Sequence, residues 1–291
     1  DVVIIPAFGV KYEDMEELRG LGCILVDTTC GSVLHVWKRV ESYARDGFTA
    51  VIHGKHFHEE TRATSSQVFR YDEGRYLVVR NMEETELLCG FLRGEVEAST
   101  IRETFAGRVS EGFDPEIHLE RIGVANQTTM LASESLAIAA RLGEAIAEAY
   151  GDQELPERFR SFDTICSATQ DRQDAVKEMM KDPPDVMIVI GGFNSSNTNH
   201  LAALCARSTC TFHIESAAGV DVETGVLSYK PAGTQDRDDA EGWLPDGEIE
   251  VGLTAGASTP DSLIGETVEN ILRMEGLDPA EIELTEVAGP A

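Results

Sequence analysis

Two cysteines stand in the same local phrase. Asp27-Thr28-Thr29-Cys30 and Asp163-Thr164-Ile165-Cys166 both read Asp-Thr-x-Cys, and each thiol sits between an apolar, strand-like run and a helix-like one. A free cysteine is most often a small buried hydrophobe, and Cys23, Cys89, Cys205 and Cys210 are read that way. For Cys30 and Cys166 three uses stay open: a structural thiol, a redox disulfide, or metal ligation. The repeated context favours ligation, since thiolates are the ligands of soft metal centres and clusters. Two thiols alone complete neither a zinc site nor a cluster.

A second dense stretch is "HGKHFHEET" (53–61), which crowds His53, His56, His58, Glu59 and Glu60 into one turn. The His-Glu-x-x-His spacing of a zinc protease is missing, although a zinc hydrolase using His56, His58 and Glu60 is one reading. Another pairs Glu60, as a proton donor, with His58, as an anion-binding imidazole. The plainest is a solvated polar turn. "GGFNSSN" (191–197) and "AGASTPDS" (255–262) set small, hydroxyl and amide residues just ahead of helical patterns. Such residues commonly cap helices, and free N–H groups at a helix start also bind phosphate. Neither stretch has the spacing of a P-loop or of a Gly-x-Ser-x-Gly nucleophile elbow.

These stretches need strands and helices to hold them. Strand-like runs cover 2–6, 23–27, 48–53, 75–80, 121–126, 162–166, 185–192, 210–215 and 249–255. Helical patterns between them cover 33–46, 131–150, 170–181, 197–207 and 261–274. Alternation of this kind is α/β, and the near-continuous apolar runs suit parallel strands covered on both faces. Ligands bind at the carboxyl ends of such strands, where the stretches above and "VANQTTM" (124–130) all lie. The polar, acidic stretch 229–248 reads as a surface loop, and the tail after 275 as a peripheral piece.

The chain has 291 residues, 42% hydrophobic and 26% charged, enough for more than one compact unit. It has no apolar run of about 18 residues, which argues against a membrane span, and no visible signal peptide. The cysteines form no CxxC pair or secreted framework, so reduced thiols and a cytoplasmic location are expected. The formal net charge of −28 repels nucleic acid and anionic lipid. It repels an anionic substrate too, so a phosphate site here must be built from backbone N–H groups, hydroxyls and histidine.

Seven phrases, in order, carry a resemblance: "VVIIPAFG", "VDTTC", "VIHGKHFHEET", "GVANQTTML", "TICSATQDRQDAV", "VIGGFNSSNTNHL" and "TAGASTPD". They resemble the motifs of the 4-hydroxy-3-methylbut-2-enyl diphosphate reductase family, the LytB-type iron–sulfur enzymes that end the non-mevalonate isoprenoid pathway. The resemblance runs from residue 1 to about residue 272, and "PAFG" with "HGKxxHEET" is similar to its plant and cyanobacterial branch. It implies a trefoil of three α/β domains around a central iron–sulfur site. The first would be residues 1–29 with the C-terminal segment 256–291, the second 30–165 and the third 166–255. It also implies a [4Fe–4S] cluster held by three cysteines, with one iron open to substrate. Cys30 and Cys166 match two of these. The third belongs to a Gly-Phe-Cys motif that this sequence lacks, so N-terminal truncation is expected of a chain that opens at Asp1 directly on a strand. Phe8 stands where other branches carry a substrate-binding histidine, and Gly31 where many members have proline.

Further roles follow from the resemblance. Glu60 would relay a proton to the leaving hydroxyl, and Thr128 would hold that hydroxyl and the relay. His58, Ser195, Ser196, Asn197 and Ser258 would bind the diphosphate. The open iron would act as a Lewis acid, and two electrons from a ferredoxin- or flavodoxin-type donor would give isopentenyl and dimethylallyl diphosphates. With its third cysteine missing, this chain would be impaired relative to its full-length parent. The alternative is a non-catalytic diphosphate-binding remnant without a complete cluster.

Overall fold

The computed structural model describes residues 1–162 and 164–281. They form two compact units, one ending at Cys166 and one starting at Ser167.

The first unit opens with β1 (Val2–Ile5), α1 (Tyr12–Gly20) and β2 (Ile24–Asp27), whose strands pair in parallel from Val2 opposite Ile24 to Ile5 opposite Asp27. There follow α2 (Gly31–Arg45), β3 (Thr49–His53), α3 (Glu59–Ser66), β4 (Tyr76–Val79), α4 (Met82–Leu92), α5 (Ala98–Thr104) and α6 (Pro115–His118). The unit closes with β5 (Ile122–Asn126), α7 (Ala132–Tyr150), α8 (Leu155–Arg158) and β6 (Phe159–Ser161). β3 to β6 form a parallel sheet in the order β4-β3-β5-β6. Its two faces follow from the two-residue period of a strand. Val51, Leu77, Val79, Ile122 and Val124 pack on one side with α4 and α7 residues such as Leu88 and Ile138. Ala50, Ile52, Val78 and Ala125 pack on the other with Val36, Val40 and Tyr43 of α2. Tyr43 lies over Gly123, where an added Cβ would come 2.5 Å from its ring, and its hydroxyl donates to the Val124 carbonyl at 2.8 Å. Trp37, also on α2, is buried and donates from Nε1 to Thr64 Oγ1 at 3.2 Å.

The second unit contains α9 (Ser167–Met179), β7 (Val186–Ile190), α10 (Ser196–Cys205), β8 (Cys210–Ile214), β9 (Leu227–Tyr229), β10 (Asp238–Ala240), β11 (Val251–Ala255) and α11 (Asp261–Met274). Its parallel sheet has the order β11-β7-β8. Val186, Ile188 and Ile190 face a core with Phe212, Trp243 and Ile271, while Met187 and Val189 face Val176, Leu201 and Cys205. Among the described residues no helix is long and apolar enough to cross a membrane.

Three expectations are corrected. The strand expected at 162–166 lies earlier, at β6, whose pairing runs from Ile122 opposite Phe159 to Val124 opposite Ser161. Beyond it Thr164 meets β5 through its hydroxyl instead. The stretch 229–248 is not a plain loop: β9 and β10 pair in antiparallel fashion, and Trp243 is buried against Phe212. Cys210 is exposed, at the start of β8, and Cys23 is only half-buried, whereas Cys89 and Cys205 are buried as expected. Burial pushes the Cys89 and Cys205 thiols up to about 11. The peripheral tail lies outside the described residues beyond position 281.

Candidate functional site

Each parallel sheet changes direction of growth at one strand. In the first unit β3 has β4 on one side and β5 on the other; in the second, β7 has β8 on one side and β11 on the other. Open α/β sheets bind ligands at such switch points, outside the carboxyl ends of the strands. "GKHFHEET" follows β3, and "GGFNSS" follows β7.

In the first unit, His58 caps α3: its Nδ1 accepts a hydrogen bond from the Glu60 N–H at 3.2 Å. Nδ1 is therefore unprotonated, and the ring keeps its proton on Nε2. Burial lowers the His58 pKa, with the positive charge of Lys55 adding to the effect. The imidazole is thus a neutral N–H donor. Glu60, in the first turn of α3, is 3% exposed. Its Oε1 accepts from the Thr128 N–H at 2.5 Å, and the Thr128 hydroxyl also bonds to the carboxyl group. Burial raises the Glu60 pKa more than these bonds lower it. A carboxyl whose pKa is raised in this way keeps its proton to higher pH than an exposed one, as a proton donor needs.

Gln127, which the motifs did not single out, joins the two loops. Its Oε1 accepts from the Lys55 N–H at 3.1 Å and from Thr61 Oγ1 at 3.0 Å, its N–H donates to the His53 carbonyl at 2.8 Å, and its Nε2 donates to Thr129 Oγ1 at 2.8 Å. Gly54 makes room for this: an added Cβ would lie 2.7 Å from Thr61 Oγ1 and 3.1 Å from Gln127 Cβ. A polar residue directly after a strand is only a weak signal, and the full burial that sets Gln127 apart shows in the structure alone. His53 is itself fully buried, with Nδ1 2.8 Å from Ser135 Oγ, and His56 is exposed, edge-on to Phe57.

The repeated Asp-Thr-x-Cys phrase has a structural meaning in its threonines. Thr28 Oγ1 donates to the Ile5 carbonyl, at the end of β1, at 2.5 Å. Thr164 Oγ1 donates to Asn126 Oδ1, at the end of β5, and accepts from the Asn126 N–H at 3.2 Å. Each threonine latches its segment to a neighbouring strand end, and each cysteine follows two residues later. Asp27 accepts from the Thr29 N–H and hydroxyl at 2.9 and 2.6 Å; Asp163 lies outside the described residues. Cys30 is exposed at the N-cap of α2, its N–H donating to the Ala7 carbonyl at 2.8 Å, and Cys166 is half-buried before α9. Among the described residues no three His, Cys, Asp or Glu side chains gather as a metal site. The two thiols suit an iron–sulfur group in kind and fall short of it in number.

In the second unit, Ser195 caps α10, its Oγ accepting from the Thr198 N–H at 3.3 Å. The next three side chains are buried, and the polar atoms Ser196 Oγ, Asn197 Nδ2, Asn197 Oδ1 and Thr198 Oγ1 have no hydrogen-bond partner among the described residues. Buried polar groups are almost always satisfied, so a run of orphans points to a ligand. Two glycines shape the place. Gly191, at φ 144°, has Thr259 Oγ1 and Thr198 Oγ1 at 2.7 and 2.9 Å from where a Cβ would be, and Gly256 packs on Thr198 as well. The Gly256 N–H donates to the Ile190 carbonyl at 2.9 Å, so the loop that carries exposed Ser258 starts beside the end of β7. Neutral donors at a helix start form an anion cradle.

Known proteins resemble this chain along most of its length. The sequence profile of the LytB protein family matches residues 1–272. The 4-hydroxy-3-methylbut-2-enyl diphosphate reductase of Gloeothece citriformis (strain PCC 7424) is 45% identical over 276 residues, covering 94% of this chain and 67% of that protein. The reductase of the same name from Synechococcus sp. (strain CC9902) is 44% identical over 275 residues, with the same coverage of 94% and 67%. A solved structure of (E)-4-hydroxy-3-methyl-but-2-enyl diphosphate reductase, described as the terminal enzyme of the non-mevalonate pathway, is similar with a TM-score of 0.50 at 27% identity. That match covers 93% of this chain and 75% of that one. The chain spans about two thirds of the length of the curated relatives it matches.

Proposed function

Because the chain belongs to the LytB protein family, we propose that it serves the reductive dehydroxylation of 4-hydroxy-3-methylbut-2-enyl diphosphate to isopentenyl and dimethylallyl diphosphates. The structural observation that carries the diphosphate part is the run of buried, unpartnered donors at the start of α10. Ser195, Ser196 and Asn197, with Ser258 on the neighbouring loop, are its binding groups in this reading. His58, within the first unit, is by itself a neutral Nε2–H donor suited to an anion. Such a set binds an anion without a cluster of surface cations, which suits a protein of net charge −28.

The overall reaction consumes two electrons and two protons, replaces a C–O bond by a C–H bond and releases water. Glu60 is the source of the proton that the departing hydroxyl needs. Burial keeps its carboxyl protonated to higher pH than usual, and the Thr128 N–H and hydroxyl orient it and stabilise the carboxylate left behind. Iron–sulfur chemistry is the family's means of reduction. We take the [4Fe–4S] form, with Cys30 and Cys166 as two of its thiolates and a ferredoxin- or flavodoxin-type protein as electron source. Two thiols do not complete that group.

The reading is tested by joining to this chain an N-terminal segment that supplies a third cysteine, then by anaerobic reconstitution with iron and sulfide and incubation with substrate and reduced viologen. The expected products, resolved by mass spectrometry, are the two diphosphates. A protein that takes up a cluster and binds pyrophosphate, yet forms neither product, would sink the catalytic reading.

A further inference from the structure

In the loop from Gly191 to Ser195 the carbonyls of Gly191, Gly192, Phe193 and Ser195 are tied into their own unit. His213 Nε2 lies 2.8 Å from the Gly191 carbonyl, and its Nδ1 has no hydrogen-bond partner among the described residues. Burial, helped by the charge of Lys230, pushes this imidazole down to about 4, so the ring is neutral and donates from Nε2 to Gly191. The Ser195 N–H donates to the Gly192 carbonyl at 2.9 Å. Asn199 Nδ2 donates to the carbonyls of Phe193 and Ser195 at 2.8 and 2.7 Å. Lys230 Nζ donates to the same Phe193 carbonyl at 2.8 Å and to Asn199 Oδ1 at 2.5 Å.

Lys230 is 2% exposed, an unusual setting for an ammonium. Its backbone is fixed as well, the Lys230 N–H donating to the His213 carbonyl at 2.8 Å. A loop whose carbonyls are held by internal donors presents an anion with N–H and hydroxyl groups and little opposing negative charge. The ammonium adds positive charge behind a cradle otherwise made of neutral groups.

We propose that Lys230 is a positioning residue for the diphosphate-binding loop. By holding the Phe193 carbonyl and the Asn199 amide together, it fixes the start of α10 so that Ser195, Ser196 and Asn197 converge on a phosphate. This rests on the diphosphate reading of that loop.

Calorimetric titration of the whole chain with inorganic pyrophosphate separates the two. Absence of binding by the unaltered chain would overturn the diphosphate reading and this inference with it. Given binding, Lys230→Met is expected to weaken it roughly ten- to a hundredfold, the scale of one hydrogen bond to a charged group. Unaltered affinity in a folded Lys230→Met protein would overturn the role of Lys230 alone. Lys230→Arg, which keeps the charge, is expected to bind more tightly than Lys230→Met; equal weakness of the two would make the role one of packing and overturn the assignment. Should Lys230→Met fail to fold, Asn199→Ala carries the test, since it removes the side-chain acceptor of the ammonium and leaves the lysine. It is expected to show the same loss, and affinity equal to the unaltered chain would overturn the proposal.

Discussion

Glu60 is a carboxyl that its surroundings make costly to ionise. Burial raises its pKa, so the stability it contributes is fully present below the ordinary carboxylate value and is lost as pH rises through the folded value. Glu60→Gln keeps an acceptor for the Thr128 N–H and removes the buried charge. It is expected to melt above the unaltered protein at neutral pH, with the gap closing on acidification, while turnover falls roughly a hundred- to ten-thousandfold. Melting curves across pH check the first part; a lower melting temperature at pH 7 would mean that the carboxylate is not strained. His58 has the opposite sign. Its lowered pKa gives stability present above the ordinary imidazole value and lost as pH falls through the folded value, because a proton on Nδ1 removes the acceptor that caps α3. His58→Asn is expected to keep the cap, and His58→Ala to lose about 1 kcal/mol. Both should weaken pyrophosphate binding, since both remove the Nε2–H. A titration in which His58→Asn binds as the unaltered chain does would remove His58 from the anion site.

At the scale of elements, Gly191 shows how backbone and side chains combine. Its φ of 144° is one that other residues rarely adopt, and a Cβ there would press on Thr198 and Thr259. Gly191→Ala is expected to cost about 1–3 kcal/mol of stability and to abolish pyrophosphate binding, measured by denaturant melts and calorimetry. What the sequence made legible divides along physical lines. β3, β5 and β7 are buried on both faces, and their near-continuous apolar runs announce them. α3 did not announce itself, because the face it buries is Glu60, Thr61, Ala63 and Thr64 rather than an apolar stripe. β6 was misplaced because the segment after it docks through the hydroxyl of Thr164, an interaction that hydropathy does not register. The cysteines, His58, Glu60 and the Ser195–Asn197 run were visible as types at strand ends. Gln127 and Lys230 were not, since their work is long-range: each bonds to groups tens of residues away in the chain.

For the whole molecule, charge is the dominant fact. A net −28 repels a diphosphate at every approach, and only local donors overcome it. Salt shortens the reach of that repulsion, from about 30 Å at 0.01 M to about 8 Å at 0.15 M. Pyrophosphate association is therefore expected to speed up as ionic strength rises over this range, the reverse of binding at a cationic surface. Stopped-flow rates across potassium chloride concentrations check this, and a steep fall would mean that cations steer the ligand in.

The two tryptophans of the chain are divided between the units: Trp37 lies on α2, bonded to Thr64, and Trp243 lies against Phe212, its indole nitrogen without a hydrogen-bond partner among the described residues. The molecule thus carries one intrinsic fluorophore per unit, in unlike electronic surroundings. Trp37→Phe leaves an optical channel that reports on the second unit alone, and Trp243→Phe one that reports on the first. Emission from the pair can establish whether the halves melt as one cooperative body or in sequence.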